Sequence, residues 1–185
     1  MVYRISKVYT RTGDAGDTGV ADGKRLGKSH PRVEAIGALD ELNCQLGMLL
    51  AQLQAHGLDE MVQALAPYQH LLFDFGGELA MPEYQVVQQQ HISQMEQQID
   101  AWSLELPPLK DFILPGGSVL IAAAHLCRSD ARSAERRCQQ LHEQEQLRAE
   151  LLGFVNRFSD LLFVAARMIA LRQNTPEVLW QAQPK

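Results

Sequence analysis

Apolar residues recur with a helical period from residue 31 almost to the end of the chain, and this pattern restricts the fold to packed helices. The first predicted helix begins at Pro31, because proline suits a first helical position, and stops at Gly57. Its apolar stripe comprises Val33, Ile36, Leu39, Leu42, Leu46, Leu49, Leu50 and Leu53. A stripe of this length predicts a helix that packs into a core.

Four more helices are predicted, and glycine or proline residues bound most of them. The second contains Pro67 as a candidate kink, and Ser118 is a candidate N-cap of the fourth. The four are predicted over residues 58–80, from the Gln-rich stretch at 85 to just before Pro107, from 118 to about 143, and over 147–171. Short connections favour antiparallel neighbours, so the predicted fold class is all-α, a five-helix bundle.

The first 30 residues show neither a helix nor a strand pattern. Within them, the glycine-rich run Thr10–Gly19 combines glycines, hydroxyls and a cation, so its backbone can turn several N–H groups toward one anion. Lys24, Arg25 and Lys28 follow and add side-chain charge. These features predict a long irregular loop that binds phosphate groups. The alternative is a flexible N-terminal tail.

Two common nucleotide-binding motifs do not match this segment. Gly23-Lys24 is followed by Arg25 rather than Ser or Thr, and Thr18 stands where a Walker loop needs its first glycine. A dinucleotide-binding fold is disfavoured because no strand precedes the run. The chain is therefore interpreted as one domain with a nucleotide-binding segment at 1–30, a helical bundle at 31–172 and a C-terminal tail at 173–185.

The composition fits a single domain without a nucleic-acid or membrane partner. The 185 residues are 46% hydrophobic, which suffices for one core. No apolar run approaches the roughly 20 residues of a membrane span, and the first residues lack the apolar stretch of a signal peptide. The formal net charge of −5 disfavours a general polyanion binder. A cytoplasmic location is expected.

The cysteines and histidines do not form a recognisable metal motif. Cys44, Cys127 and Cys138 are too far apart for a CxxC knuckle and are expected to be small buried hydrophobes. No Glu-x-x-His sequence occurs, so the di-iron pattern of helical bundles is missing. We therefore expect no transition-metal site.

A charged face is predicted on the fourth helix. Arg128, Arg132, Glu135 and Arg136 stand at i, i+4, i+7 and i+8 and therefore share one side. A guanidinium binds phosphate through its planar fork better than an ammonium does. The alternative is a solvated face of weak Glu–Arg pairs. The apolar stretch 119–127 favours the first interpretation, because it brings the face close to the core.

Polar residues also lie beside the apolar stripes of the fifth and first helices. Asn156, Asp160, Phe163 and Arg167 fall on one side of the fifth, where an unpartnered polar group costs roughly 1–3 kcal/mol. Asp40 lies next to the stripe of the first helix, and an acid close to a core usually pairs with a cation. The alternatives are a hydrogen-bonded core position for Asn156 and a surface position for Asp40.

Together these segments resemble the PduO-type ATP:cob(I)alamin adenosyltransferases, also called corrinoid adenosyltransferases. The matching pieces occur in the family's order along essentially the whole chain. They are TRTGDAGDTG at 10–19, the stretch 23–28, DELN at 40–43, FDFGGELA at 73–80, FILPGG at 112–117, RxxxRxAER at 128–136 and NRFSDLLFVAAR at 156–167.

The resemblance implies a five-helix bundle that assembles as a homotrimer with active sites between subunits. It implies transfer of the 5′-deoxyadenosyl group of ATP to the cobalt of cob(I)alamin, with release of inorganic triphosphate. ATP with Mg²⁺ and cobalamin are then the expected ligands. A cobalamin reductase and an adenosylcobalamin-dependent enzyme are possible protein partners.

The same resemblance implies roles for individual residues. Arg132 would stabilise transition-state charge, Asp40 and Arg128 would form an ion pair at the border of the corrinoid pocket, and Phe112 would lie beneath the corrin and exclude the lower axial ligand. Because the nucleophile belongs to the cofactor, no catalytic Ser, Cys or His is needed. The implied ATP site comprises Thr10, Arg11, Thr12, Gly13, Thr18, Gly19, Lys28, Arg132, Glu135, Arg136 and Asn156.

Three positions depart from the family pattern. Ala15 stands where many relatives have Lys or Asp, Ser133 where a second arginine is common, and Ala38-Leu39 where a Gly/Asp-Val type of pair is usual. Lys24 or Arg25 could supply the contact missing at Ala15. These departures bear on ATP affinity more than on the class of reaction.

Two alternatives to an enzyme remain at this point. One is a non-catalytic helical bundle that senses a corrinoid or a nucleotide, and the presence of Arg132, Asn156 and Phe112 together weighs against it. The other is a purely structural bundle, which leaves the 30-residue N-terminal segment unexplained.

Overall fold

The computed structural model describes residues 8–182; the outer parts of the predicted N-terminal segment and C-terminal tail, 1–7 and 183–185, lie outside the described residues. The described chain is a helical bundle with one small sheet, which confirms the predicted fold class. In chain order the elements are β1 (Asp17–Gly19), β2 (Arg25–Gly27), α1 (Pro31–Ala55), α2 (Asp59–Leu65), α3 (Pro67–Ala80), α4 (Gln89–Ser103), α5 (Val119–His142) and α6 (Ala149–Arg172).

The second predicted helix is interrupted and forms α2 and α3. Pro67 lacks the N–H that would bond to the carbonyl four residues earlier, and its ring crowds that carbonyl. Ala66, between the two helices, keeps helical angles with φ −56° and ψ −35°. The candidate kink is thus a local break, and the five predicted helical segments are all present.

The N-terminal segment is not wholly irregular, so the expectation that it lacks strands is wrong. β1 and β2 pair antiparallel, with Thr18 opposite Leu26. Gly23 enables the turn with φ +84°, and the Val20 N–H donates to the Lys24 carbonyl at 2.9 Å. Strands of three residues are too short to show the alternation from which a strand is predicted.

The bundle is organised around α5, which packs between α1 and α6, while α3 lies on α1 and α4 lies on α6. Aromatic rings link α3 to α6 across the core: the centroids of Tyr68 and Phe158 are 5.4 Å apart, and those of Phe75 and Phe154 are 6.0 Å apart. The leucine stripe of α1 fills the opposite side of the same core.

One end of the bundle is closed by buried ion pairs. Glu78 is 3% exposed; its carboxylate accepts the Val87 N–H at 2.5 Å and pairs with Arg148 at 2.7 Å. Arg32, in the first turn of α1, pairs with Glu145 between α5 and α6. These contacts fix the start of α1, where the N-terminal hairpin joins the bundle.

The other end holds the loop before α5 and the segment after α6. Ser118 caps α5 as predicted, because its hydroxyl accepts the Ile121 N–H at 3.2 Å. The same hydroxyl donates to the Gln173 side chain at 2.5 Å. The cap therefore also joins the start of α5 to the end of α6.

The cysteines divide into two groups. Cys127 and Cys138 are buried as expected, and burial raises the pKa of each thiol to about 12. Cys44 is exposed, contrary to expectation, because it lies two residues beyond Leu42 and so on the opposite side of α1 from the buried stripe. None of the helices in residues 8–182 has the length and hydropathy that crossing a membrane requires.

His125, on α5, is a polar residue in the core of the bundle. Its ring is 4% exposed, lies 6.4 Å from the Phe163 ring, and its Nδ1 has no hydrogen-bond partner within the described chain. Burial lowers the pKa of His125 from 6.5; nearby Arg128 lowers it further, and Glu177 opposes the change. The folded chain therefore favours the neutral imidazole.

This burial predicts a pH-dependent stability. Below about pH 6.5 the unfolded chain binds a proton that folded His125 does not, so the free energy of unfolding falls as the pH decreases. Denaturant unfolding at pH 7.5 and pH 5 should show a smaller decrease for His125→Gln than for the wild type. His70→Gln, at an exposed position of α3, is the matched control. An equal decrease in His125→Gln would contradict the prediction.

Candidate active site

The glycine-rich run forms a tight loop beside Lys28. The Gly13 carbonyl accepts the Gly16 N–H at 3.2 Å, and the Lys28 N–H donates to the Gly16 carbonyl at 2.9 Å. A Cβ on Gly13 would lie 3.0 Å from the Asp17 carbonyl oxygen and 3.7 Å from the Lys28 Nζ. A side chain at position 13 would therefore crowd the backbone and the lysine. The Thr10 and Thr12 hydroxyls, 2.9 Å apart, flank this loop.

The cations of this segment are not equivalent. Arg25 pairs with Asp17 at 2.5 Å, and this hydrogen bond is the main reason that the pKa of Asp17 is lowered. Lys24 pairs with Asp22 at 3.1 Å. Within the described chain Lys28 forms no salt bridge. Lys24 and Arg25, the candidates to replace a contact missing at position 15, are thus held by neighbouring carboxylates, whereas Lys28 remains available.

The other predicted members of the N-terminal site lie around the loop. Arg11 has a left-handed backbone with φ 59°, and its guanidinium lies 5.6 Å from the centre of the Tyr9 ring. Thr18 and Gly19 belong to β1, where Gly19 pairs with Arg25 of β2. The β1–β2 hairpin follows the loop directly and therefore holds its C-terminal end in place.

The predicted charged face exists on α5. Glu135 accepts the Asn156 amide at 2.7 Å, so the structure joins the predicted site residues of α5 and α6. Arg136 donates to the Arg132 carbonyl at 3.0 Å. Both guanidiniums are exposed and neither forms a salt bridge in residues 8–182. The face thus presents two uncompensated cations next to a carboxylate–amide pair.

The N-terminal segment, α1 and α5 border a common groove. The groove has a volume of about 320 Å³ and is lined by Lys28, by Glu34 and Glu41 of α1, and by Ser133 and Arg137 of α5. No hydrogen bond or ion pair joins residues 10–28 to the predicted charged face. The two halves of the predicted ATP site therefore border one groove without a polar contact between them in the described chain.

Asp40 and Arg128, the predicted ion pair, do not meet within one chain. Asp40 is exposed on α1 and forms no salt bridge in the described residues. Arg128 is partly buried on α5, and its Nε has no hydrogen-bond partner there. Burial, followed by the charge of Arg132, lowers the pKa of the Arg128 guanidinium. Each side chain thus lacks an opposite charge.

An apolar groove runs between α1 and α3 beside Asp40. Its volume is about 400 Å³, and its lining includes Ile36, Leu72, Gly76 and Phe73, whose side chain is 76% exposed. Large apolar side chains rarely remain exposed beside a groove unless another molecule covers them.

Phe112 projects from the loop before α5 and is 76% exposed. The predicted C-terminal tail lies against it: the Trp180 N–H donates to the Phe112 carbonyl at 2.7 Å, and the two ring centroids are 6.3 Å apart. The signal that could have indicated this contact is the apolar run Val178-Leu179-Trp180 after Pro176.

The arrangement can bind a polyanion and a flat apolar group. Lys28, Arg132 and Arg136 have cationic groups without salt bridges in the described chain, while Phe112 and Trp180 present exposed rings. Residues 8–182 contain no group of three His, Cys, Asp or Glu side chains placed to hold a metal ion.

Comparisons with known proteins agree with this chemistry. A family model described as "Cobalamin adenosyltransferase" matches residues 8–169. A cobalamin adenosyltransferase of Cupriavidus metallidurans is 45% identical, over 97% of each chain. A corrinoid adenosyltransferase of Bacillus subtilis is 40% identical over 95% of this chain and 92% of its own.

Solved structures show the same fold. A variant PduO-type ATP:corrinoid adenosyltransferase from Lactobacillus reuteri, complexed with cobalamin and ATP, superposes with a TM-score of 0.90 at 36% identity, over 95% of this chain and 100% of that one. The family match spans most of the chain and the relatives match nearly all of it. The chain therefore belongs to the cobalamin adenosyltransferase family.

Proposed function

We propose that the chain transfers the 5′-deoxyadenosyl group of ATP to the cobalt of cob(I)alamin, producing adenosylcobalamin and inorganic triphosphate. The observation that carries this proposal is the α5 face, where Arg132 and Arg136 form no salt bridge within residues 8–182 and lie next to the Glu135–Asn156 pair. The 45% and 40% identity to cobalamin and corrinoid adenosyltransferases, over nearly the whole chain, supports the same reaction.

The reaction needs little covalent chemistry from the protein. Cobalt(I) supplies the electron pair of the new Co–C bond, the C5′–O bond breaks, and its electrons leave with the triphosphate. Negative charge therefore grows on the leaving group. Donors already fixed around its oxygens stabilise that charge without reorganising. In this proposal Lys28, Arg132 and Arg136 are those donors, because their cationic groups form no salt bridge in the described chain.

The proposed ATP site combines the N-terminal loop with the α5 face. Its members are Thr10, Arg11, Thr12, Gly13, Thr18, Gly19, Lys28, Arg132, Glu135, Arg136 and Asn156. Mg²⁺ accompanies ATP in this proposal, since it binds through phosphate oxygens and one or two carboxylates. Glu135 fits that requirement: one of its oxygens accepts the Asn156 amide, and its carboxylate would hold the ion beside the triphosphate.

Phe112 is proposed to act on the corrinoid. An apolar ring beneath the corrin would exclude the lower axial ligand, and four-coordinate Co(II) is easier to reduce to the nucleophilic Co(I). The 76% exposure of Phe112 supports this role, because the ring is not used to fill the core of the chain.

The proposal includes assembly into a homotrimer with active sites between subunits. Arg132 lies 13 residues along α5 from Val119, so about 20 Å of helix separates it from the Phe112 loop within one chain. Asp40 and Arg128 each lack a partner in the described chain, and the apolar groove beside Phe73 is open. A second copy of the chain would pair Asp40 with Arg128 of the partner subunit and cover the apolar groove. It would also bring its own Phe112 loop close to Arg132.

The biological setting is also part of the proposal. We place the reaction in the cytoplasm, after a cobalamin reductase that supplies the electron and before an adenosylcobalamin-dependent enzyme that uses the product.

The α5 face makes the first testable prediction of this function. Arg132→Ala should lose at least about 2–3 kcal/mol of transition-state stabilisation, by analogy with the loss of one oxyanion donor. The corresponding decrease in kcat/KM is about 30- to 150-fold, measured as formation of the light-sensitive alkyl-cobalt spectrum. Arg157→Ala removes an arginine that pairs with Glu96 and should retain normal turnover. Near-normal turnover of folded Arg132→Ala would refute the assignment.

The intersubunit pair makes a second prediction, which subunit mixing can test. Asp40→Ala and Arg128→Ala should each reduce turnover, because the surviving charge is left uncompensated. When the two impaired variants are unfolded and refolded together in equal amounts, about a quarter of the interfaces receive an intact Asp40 from one chain and an intact Arg128 from its neighbour. We expect activity to return in proportion.

The separately refolded variants serve as controls for this mixing experiment. No recovery on mixing would show that the two residues do not act across an interface. Strict additivity in the double variant would show that they are not in contact at all.

A further inference from the structure

Arg167 is a buried cation that the proposed ATP and corrinoid sites do not use. It lies on α6 and is 9% exposed. Its Nε and Nη2 donate to the two carboxylate oxygens of Glu177 at 2.8 and 3.3 Å, and Nη2 also donates to the Pro107 carbonyl at 2.8 Å. One guanidinium therefore joins three parts of the chain: α6, the loop that precedes α5, and the segment that follows α6.

The segment that follows α6, residues 176–182, is here called the strap. It runs antiparallel to the Phe112 loop: the Leu114 N–H donates to the Val178 carbonyl at 2.8 Å, and the Trp180 N–H donates to the Phe112 carbonyl at 2.7 Å. In the remaining hydrogen bond of Phe112 in the described chain, its backbone N–H donates to the carboxylate of the neighbouring Asp111 at 3.1 Å. The strap is distant from Phe112 in sequence, and its hydrogen bond to the Phe112 carbonyl orients that residue.

Apolar side chains hold the strap only in part. Val178, Leu179 and Trp180 are 53%, 42% and 46% exposed, so about half of the surface of each remains in water. In contrast, the Glu177 side chain is 20% exposed and its partner Arg167 is 9% exposed. The charged pair is therefore the best-buried anchor of a segment that is otherwise held by half-buried apolar side chains and backbone hydrogen bonds.

The base of the strap also fits closely under the loop. Gly117, with φ +102°, leaves room for only a hydrogen: a Cβ there would lie 3.1 Å from the Ile121 Cδ1 and 3.3 Å from the Thr175 Cγ2. A close fit of this kind transmits a shift of the strap to the loop rather than absorbing it.

We propose that Arg167 and Glu177 are positioning residues, which hold the strap against the loop and so keep Phe112 oriented toward the corrinoid. A buried ion pair is seldom the most stable filling for such a space, but it fixes geometry because both charges require their partners. This inference rests on the proposed role of Phe112 and extends it to residues that touch neither ATP nor the corrinoid.

The test uses Glu177→Gln in the full chain, which keeps the size of the side chain and removes its charge. Electron paramagnetic resonance of Co(II)alamin with the enzyme and ATP should show about tenfold less four-coordinate cobalt, the equivalent of one charge-assisted hydrogen bond. ATP affinity should not change. Turnover should fall most when Co(II) is reduced on the enzyme, and less when preformed Co(I) is supplied.

Two comparisons separate positioning from a general loss of stability. Glu78→Gln removes a buried carboxylate that pairs with Arg148 at the opposite end of the bundle, and it should leave the four-coordinate signal intact. In a Phe112→Ala background, Glu177→Gln should cause no further decrease, because both changes act through the same ring. Hydrogen exchange at the Trp180 amide should accelerate in Glu177→Gln but not in Glu78→Gln.

The outcomes distinguish this inference from the proposed function. A wild-type chain that forms neither four-coordinate Co(II) nor an alkyl-cobalt product overturns both. A normal wild-type signal that Glu177→Gln leaves unchanged overturns the positioning role alone. Equal decreases in Glu177→Gln and Glu78→Gln, or a full further decrease in the Phe112→Ala background, would do the same.

Discussion

The structure depends on the two sides of α5. One side is buried in the core, and the other carries positive charges that no carboxylate of the described chain pairs with. Small residues such as Ala131, Ala134 and Cys138 let α1 and α6 pack against it, and this packing fixes the helix rigidly. The opposite side carries Arg132 and Arg136 without counter-charges in the described chain. Like-charged groups held together on a rigid helix repel one another until an anion arrives. A rigid face of this kind suits a multiply charged anion, as the proposed ATP site requires.

Sequence periodicity predicts most of this fold because the core-forming stripes are long. The stripe of α1, from Val33 to Leu53, spans about six turns, and local signals such as Pro31 and Ser118 mark helix ends for identifiable hydrogen-bonding reasons. The β1–β2 hairpin and the exposed position of Cys44 are not predicted as well. Three-residue strands have no measurable period, and cysteine is common in cores without being confined to them.

The candidate site is predictable only as separate pieces. The sequence places Glu135 and Asn156 on helix faces, and the structure shows that they touch. It cannot show that Arg25 is neutralised by Asp17 while Lys28 is not, because that difference depends on the register of the hairpin. The strap is not predicted either. Its contacts, such as that of Trp180 with Phe112, depend on the turn after α6, and no periodic pattern in the sequence describes that turn.

The central claim is that these pieces form an enzyme that alkylates cobalt and expels triphosphate. The most direct measurement incubates the full chain with ATP, Mg²⁺ and chemically reduced cobalamin, follows the visible spectrum, and separates the phosphate products. We expect a light-sensitive alkyl-cobalt spectrum, together with one inorganic triphosphate per alkylated cobalt. Binding of ATP and cobalamin without an alkyl-cobalt product, or release of ADP and phosphate in place of triphosphate, would contradict it.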